Sequence, residues 1–141
     1  MVEKPKTLEE WNARTIGLFP DLLGARFEKV TAEEVAGGFD VRRTLFAPNG
    51  YLHAGAVVTL ADTACGFGAI CALPEGALGF TTVDLAANFL STAKGGRVSV
   101  RARPKHLGRS TQLWDATVTS EASGKVMAEF RCVQMVLWPK G

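Results

Sequence analysis

From Leu52 to Leu73 nearly every position is apolar or small, so no polar face emerges at helical spacing. Such a run predicts one long helix enclosed by the rest of the chain, ended by the breaker Pro74-Glu75-Gly76. Ahead of it, Thr7 followed by Glu10 marks a helix start, predicting a short helix to about Gly17 and a connector over Leu18 to Gly24. Two strands follow, Ala25 to Glu34 and Val35 to Phe46. In the second, Phe39, Val41 and Leu45 alternate with Asp40, Arg42 and Thr44. After the helix the pattern has period two. Phe80 to Leu90 sets Thr81, Val83, Leu85, Ala87 and Phe89 against Thr82, Asp84 and Asn88. Arg97 to Lys105, Thr111 to Thr119 and Val126 to Trp138 follow, separated by turns at Lys94-Gly95-Gly96, His106-Leu107-Gly108-Arg109 and Ser123-Gly124-Lys125. These elements predict an α+β fold: one central helix wrapped by an antiparallel sheet of five to six strands, its later strands paired consecutively.

Length and charge narrow the class. At 141 residues the chain predicts a single domain, residues 1–24 being its N-terminal helix and connector. A formal charge of +2 gives no ground for a nucleic-acid partner. Three cysteines, Cys65, Cys71 and Cys132, lie in apolar segments, which suits a reduced, cytoplasmic protein. The first residues lack the apolar core of a signal peptide. The central run is long enough to span a membrane, but Asp62, Thr59, Thr63 and its glycines favour a core helix, so no membrane partner is expected.

Two histidines, His53 and His106, leave no Cys/His cluster with metal-ligand spacing. Neither a Gly-x-Ser-x-Gly elbow nor a phosphate-binding glycine loop occurs, so no metal or cofactor is expected. What stands out is Asp62, a carboxylate in an otherwise apolar helix. Removing its water costs several kcal/mol unless it has a partner or a task. It is either an ion-paired core residue or a chemical group.

Asn49-Gly50-Tyr51-Leu52-His53-Ala54-Gly55, followed by Leu60-Ala61-Asp62, resembles the signature of hotdog-fold acyl-CoA thioesterases. The branch it resembles is the phenylacetate-pathway type, related to 4-hydroxybenzoyl-CoA thioesterases. Thr82-Val83-Asp84-Leu85, Asn88-Phe89-Leu90 and Gly108-Arg109 extend the likeness, which runs from about Gly38 to the C-terminus. It implies a hotdog fold and thioester hydrolysis, with a backbone N–H after the histidine polarising the carbonyl. That residue is Ala54 here, where the family has glycine. Alanine keeps the N–H and adds a methyl group. Thr82 stands where the family has a hydroxyl that positions water.

The chemistry of the residues points the same way. A thioester expels a thiolate whose conjugate acid has a pKa of about 8.5, so the leaving group needs little help. One carboxylate acting as base or nucleophile, with a polarised carbonyl, suffices. Asp62 supplies the first, and the N–H groups of Ala54 and Gly55 at the positive helix end supply the second. Asn49 and His53 would hold the entry loop and the carbonyl. Each also has a plainer role: Asn49-Gly50 as a turn, His53 as a cap, Thr82 as a strand former. Arg101, Arg103 and Lys105, with Arg109, form either a site for coenzyme A phosphates or a solvated strand face. The same row could serve RNA binding, but no aromatic platform stands beside it. A non-hydrolytic acyl-CoA binder would need the pocket without Asp62. A hydratase would show another His/Asp arrangement.

Helix geometry adds a condition. Asp62 lies nine helical steps beyond His53, about 900° of rotation and 13–14 Å of rise, so the two side chains face opposite ways. A carbonyl held at the helix start cannot meet a water beside Asp62 of the same helix. A homodimer with shared active sites can satisfy both, and the resemblance implies dimers, often paired into dimers of dimers.

Overall fold

The structure is a computed structural model that describes residues 2–140. Thr7 caps α1 (Leu8–Ala13) by accepting the Glu10 N–H at 3.2 Å. The Glu10 carboxylate reaches back to the Lys6 N–H at 2.6 Å, one residue earlier than in the usual reciprocal cap. Residues 18–24 are not a plain connector. Pro20, preset for a first helical turn, sits in a short helix α2 (Phe19–Leu22).

Strands β1 (Arg26–Val30) and β2 (Val35–Asp40) form a hairpin. The strand expected to reach Phe46 ends at Asp40, and Arg43–Leu45 coil into a 3-10 turn that brings the chain to the helix start. Helix α3 (Ala54–Cys71) is unbroken. Then come β3 (Gly79–Phe89), β4 (Arg97–Leu107), β5 (Thr111–Ser120) and β6 (Val126–Leu137). All six strands form one antiparallel sheet in the order β1-β2-β4-β5-β6-β3.

Among the four strands after the helix, consecutive pairing holds for β4-β5-β6 only. Instead of joining β4, β3 lies on the far side of β6, while β4 pairs with β2. Helix α3 therefore carries the chain from one side of the meander to the other, crossing the sheet face it covers. That crossing buries the helix. Leu60, Ala61, Ala64, Cys65 and Ala69 are closed off against Val98, Val100, Ala102, Ala116 and Val118 of the sheet.

Small residues let this helix lie close. At Gly68 an added Cβ would stand 2.4 Å from the ring of Trp114, so only glycine admits the indole against the helix backbone. Trp11 and Phe27 each meet Phe67 with ring centroids 4.9 Å apart, which docks α1 and β1 on the same helix. Burying Trp11 contributes on the order of 2–3 kcal/mol, more than a six-residue helix could supply alone. At the other end of α3, Lys4 Nζ donates to the carbonyls of Cys71 (3.1 Å) and Leu73 (3.3 Å), capping the helix terminus.

The face pattern of β3 differs from strict alternation. A bulge between Thr82 and Asp84 shifts the register: Thr82 lies opposite Gln134, while Leu85 and Ala87 lie opposite Cys132 and Phe130. Gln134, Cys132 and Phe130 are buried on the helix side, so Thr82 shares that side with Leu85 and Ala87. One inserted residue re-aims half the strand.

Candidate active site

The site begins at the loop before α3. Phe46 bridges to Leu52, the Ala47 N–H donates to the Tyr51 carbonyl at 2.7 Å, and Gly50 takes a positive φ of 83° that glycine allows without strain. Asn49 Oδ1 accepts the Tyr51 N–H at 3.1 Å. Asn49 thus braces the turn that delivers His53 to the helix start.

His53 is the N-cap, and its Nδ1 accepts the Gly55 N–H at 2.8 Å. That bond corrects the expectation that Ala54 and Gly55 both present free N–H groups. The Gly55 donor is taken, and of the two only the Ala54 N–H has no acceptor among the described residues. An imidazole that accepts at Nδ1 in its neutral form carries its proton on Nε2, so exposed His53 offers a second donor.

Asp62 lies on the part-exposed stripe of α3, with Val58, Thr59, Thr63 and Gly66. Its Oδ1 is buried without a hydrogen-bond partner, and it joins no ion pair among the described residues. Burial strips water from the carboxylate and raises its pKa above the ordinary aspartate range. The ion-paired core reading is therefore not realised. The threonines beside it turn inward on their own helix, Thr59 to the Gly55 carbonyl at 2.8 Å and Thr63 to that of Thr59 at 2.7 Å.

On β3, Thr82 lies on the helix side of the sheet, opposite Gln134. Its hydroxyl donates to Gln134 Oε1 at 2.7 Å, and the residue remains exposed. Gln134 is a functional candidate that sequence reasoning passed over. The signal was present, since one amide interrupts the apolar alternation Phe130, Cys132, Val136.

The basic row does not join this site. Ala102 and Val100 face the helix, so Arg101 and Arg103 point to the opposite side of the sheet. There both bind Glu34, at 3.2 Å and 2.6 Å, and Lys29 adds a third cation at 3.3 Å. The Arg103 hydrogen bond leads in holding the Glu34 carboxyl down at about 2. Lys105 Nζ lies 3.5 Å from Asp115. Of the four cations, Arg109 alone has no carboxylate partner among the described residues. Its guanidinium lies 4.9 Å from the Trp138 ring centroid.

Comparison with known proteins shows the family. The profile of the Thioesterase superfamily matches residues 49–127, from the entry loop into β6. The chain is 31% identical over 139 residues to the 1,4-dihydroxy-2-naphthoyl-CoA hydrolase of Escherichia coli, spanning 97% of this chain and all of that one. The Listeria monocytogenes enzyme of that name is 30% identical over 79% of this chain and 89% of its own. Among solved structures, a mutant thioesterase from Pseudomonas aeruginosa superposes with a TM-score of 0.87 at 32% identity, covering 96% of both chains.

Proposed function

The chain belongs to the thioesterase superfamily, and from that premise we propose that it hydrolyses an acyl-CoA thioester to the free acid and coenzyme A. One observation carries this reading: Asp62, a carboxylate with a buried, unpartnered oxygen, on the helix whose start presents a free N–H. Asp62 takes the proton of a water that attacks the thioester carbon, or attacks that carbon itself and is released by water. The oxyanion that forms is held by the Ala54 N–H, at the positive end of α3, with His53 Nε2–H as a second donor. Collapse breaks the C–S bond, and the coenzyme A thiolate departs with little need of an acid.

Two copies of the chain build each site in this account. Asp62 lies eight residues along an unbroken helix from Ala54, about 12 Å of rise. The reacting carbon must stand about 3 Å from both the attacking oxygen and the oxyanion donor. The start of a partner's α3 beside Asp62 meets that requirement. Strand β3 supports such pairing: it is an 11-residue sheet edge with Val83, Leu85 and Phe89 at 53%, 43% and 49% exposure. Long apolar edges are templates for another chain. Pairing of two such dimers into a tetramer extends the same proposal. Free cysteines suit a cytoplasmic setting.

The names of the relatives make aromatic acyl groups the first to test. A panel of 1,4-dihydroxy-2-naphthoyl-, phenylacetyl-, medium- and long-chain acyl-CoAs, read by thiol release, should show turnover with one class. Asp62→Asn should cut that turnover by about 10²–10⁴-fold with little change in binding. Binding of acyl-CoA without thiol release would favour the non-hydrolytic alternative.

A further inference from the structure

Gln134 lies beneath the site and is fully buried, so both ends of its amide must find protein partners. Its Oε1 accepts the Thr82 hydroxyl proton at 2.7 Å, and its Nε2 meets Cys132 Sγ at 3.3 Å. We propose that Gln134 is a positioning residue: by taking the Thr82 proton, it turns the lone pairs of Thr82 Oγ1 toward Asp62, as an acceptor for the reacting water. This inference rests on the thioesterase reading.

The placement follows from the packing. A Cβ on Gly66 would stand 3.3 Å from Phe80 Cζ, so this turn of α3 touches the start of β3. Phe80 and Val136 also pack with Leu73 and Ala77 beyond the helix C-terminus, so β3 runs antiparallel to α3. One helical turn back from Gly66 is Asp62, and one strand repeat on from Phe80 is Thr82. Each step is about 6 Å, and both lead the same way along the groove. The bulge after Thr82 keeps this polar residue on the helix side, which it shares with Leu85.

A hydroxyl has one proton and two lone pairs. With the proton committed to a buried carbonyl oxygen, exposed Thr82 can only accept from the groove. Asp62 and Thr82 then accept the two protons of one water, leaving its oxygen directed at the thioester carbon. Proton transfer goes to Asp62; Thr82 and Gln134 exchange nothing and set orientation alone.

The test is a kinetic cycle on the full-length protein: wild type, Thr82→Val, Gln134→Met and the double variant, read by thiol release. Methionine keeps the length of glutamine and removes the acceptor amide. Gln134→Met should lower kcat by about 10- to 100-fold through loss of water orientation. KM and the acidic limb of the pH profile should stay in place, because Asp62 is intact. In the Thr82→Val background the same change should cost nothing further. An equal loss in both backgrounds, or an unchanged kcat, would overturn the role. If Gln134→Met does not fold, Gln134→Leu takes its place in the cycle. Asp62→Asn is measured alongside. An active wild type, an inactive Asp62→Asn and a fully active Gln134→Met remove this inference alone. No thiol release from wild type removes the parent reading and this one together.

Discussion

Replacing Asp62 with asparagine should make the protein more stable while it cuts turnover by about 10²–10⁴-fold. The carboxylate Oδ1 is closed off from water with nothing to bind, and burial alone raises the pKa. A buried polar group without a partner costs about 1–3 kcal/mol, and a charged one more. Only one of the two oxygens is fully enclosed and the residue keeps part of its exposure, which places the cost at the low end. Asparagine removes the charge at nearly constant shape, so the gain at pH 8 is about 1 kcal/mol, or a Tm about 3 °C higher for a chain of this size. The sign of the pH dependence follows. A carboxyl whose folded pKa is raised penalises the folded state above that pKa. The penalty fades as pH falls through the folded value and is gone below the ordinary value of 3.8. Thermal melts of both proteins at one fixed protein concentration, at pH 8 and stepwise toward pH 4, measure the difference. Asp62→Asn should gain stability at pH 8, and the gain should shrink toward zero in acid. A loss of 1 kcal/mol or more at pH 8 would refute it, since Asp62 would then be holding a stabilising partner.

Glu34 has the opposite sign. Its carboxyl, held by Arg103, Lys29 and Arg101, contributes stability that is present above the ordinary 4.5 and lost as pH falls through about 2. Acid titration followed by circular dichroism should therefore show wild type losing more stability over that window than Glu34→Gln. Arg109→Ala should raise KM for acyl-CoA and leave an acyl thioester without the nucleotide unaffected, the pattern of lost uniform binding. Equal changes with both substrates would remove Arg109 from coenzyme A recognition.

The parts legible in the sequence are those set by local pattern. The apolar run over α3, the period-two strands and Thr7 as a cap each follow from neighbours within a few residues. Asp62 was legible because a carboxylate in an apolar helix needs a reason. What escaped depends on long-range partners. The bulge at Thr82–Asp84 reverses the face of half of β3, and no residue type there marks it. The placement of β3 beyond β6 is decided by how α3 crosses the sheet. The basic row looked available because Glu34, nearly 70 residues away in sequence, could not be paired with Arg101 and Arg103 from spacing alone. The His53 bond to Gly55 turned a presumed pair of carbonyl donors into one.

Subunit complementation tests the central claim, that Asp62 of one copy serves the helix start of another. Asp62→Asn is mixed in equal amounts with a variant changed at both Asn49 and His53, each inactive alone, and subunits are allowed to exchange. Random pairing makes about half of the dimers mixed, each with one intact site, so thiol release should recover to about a quarter of the wild-type rate. Exchange shown by tagged subunits without any recovery, or full activity from a monomer, would contradict a site built by two chains.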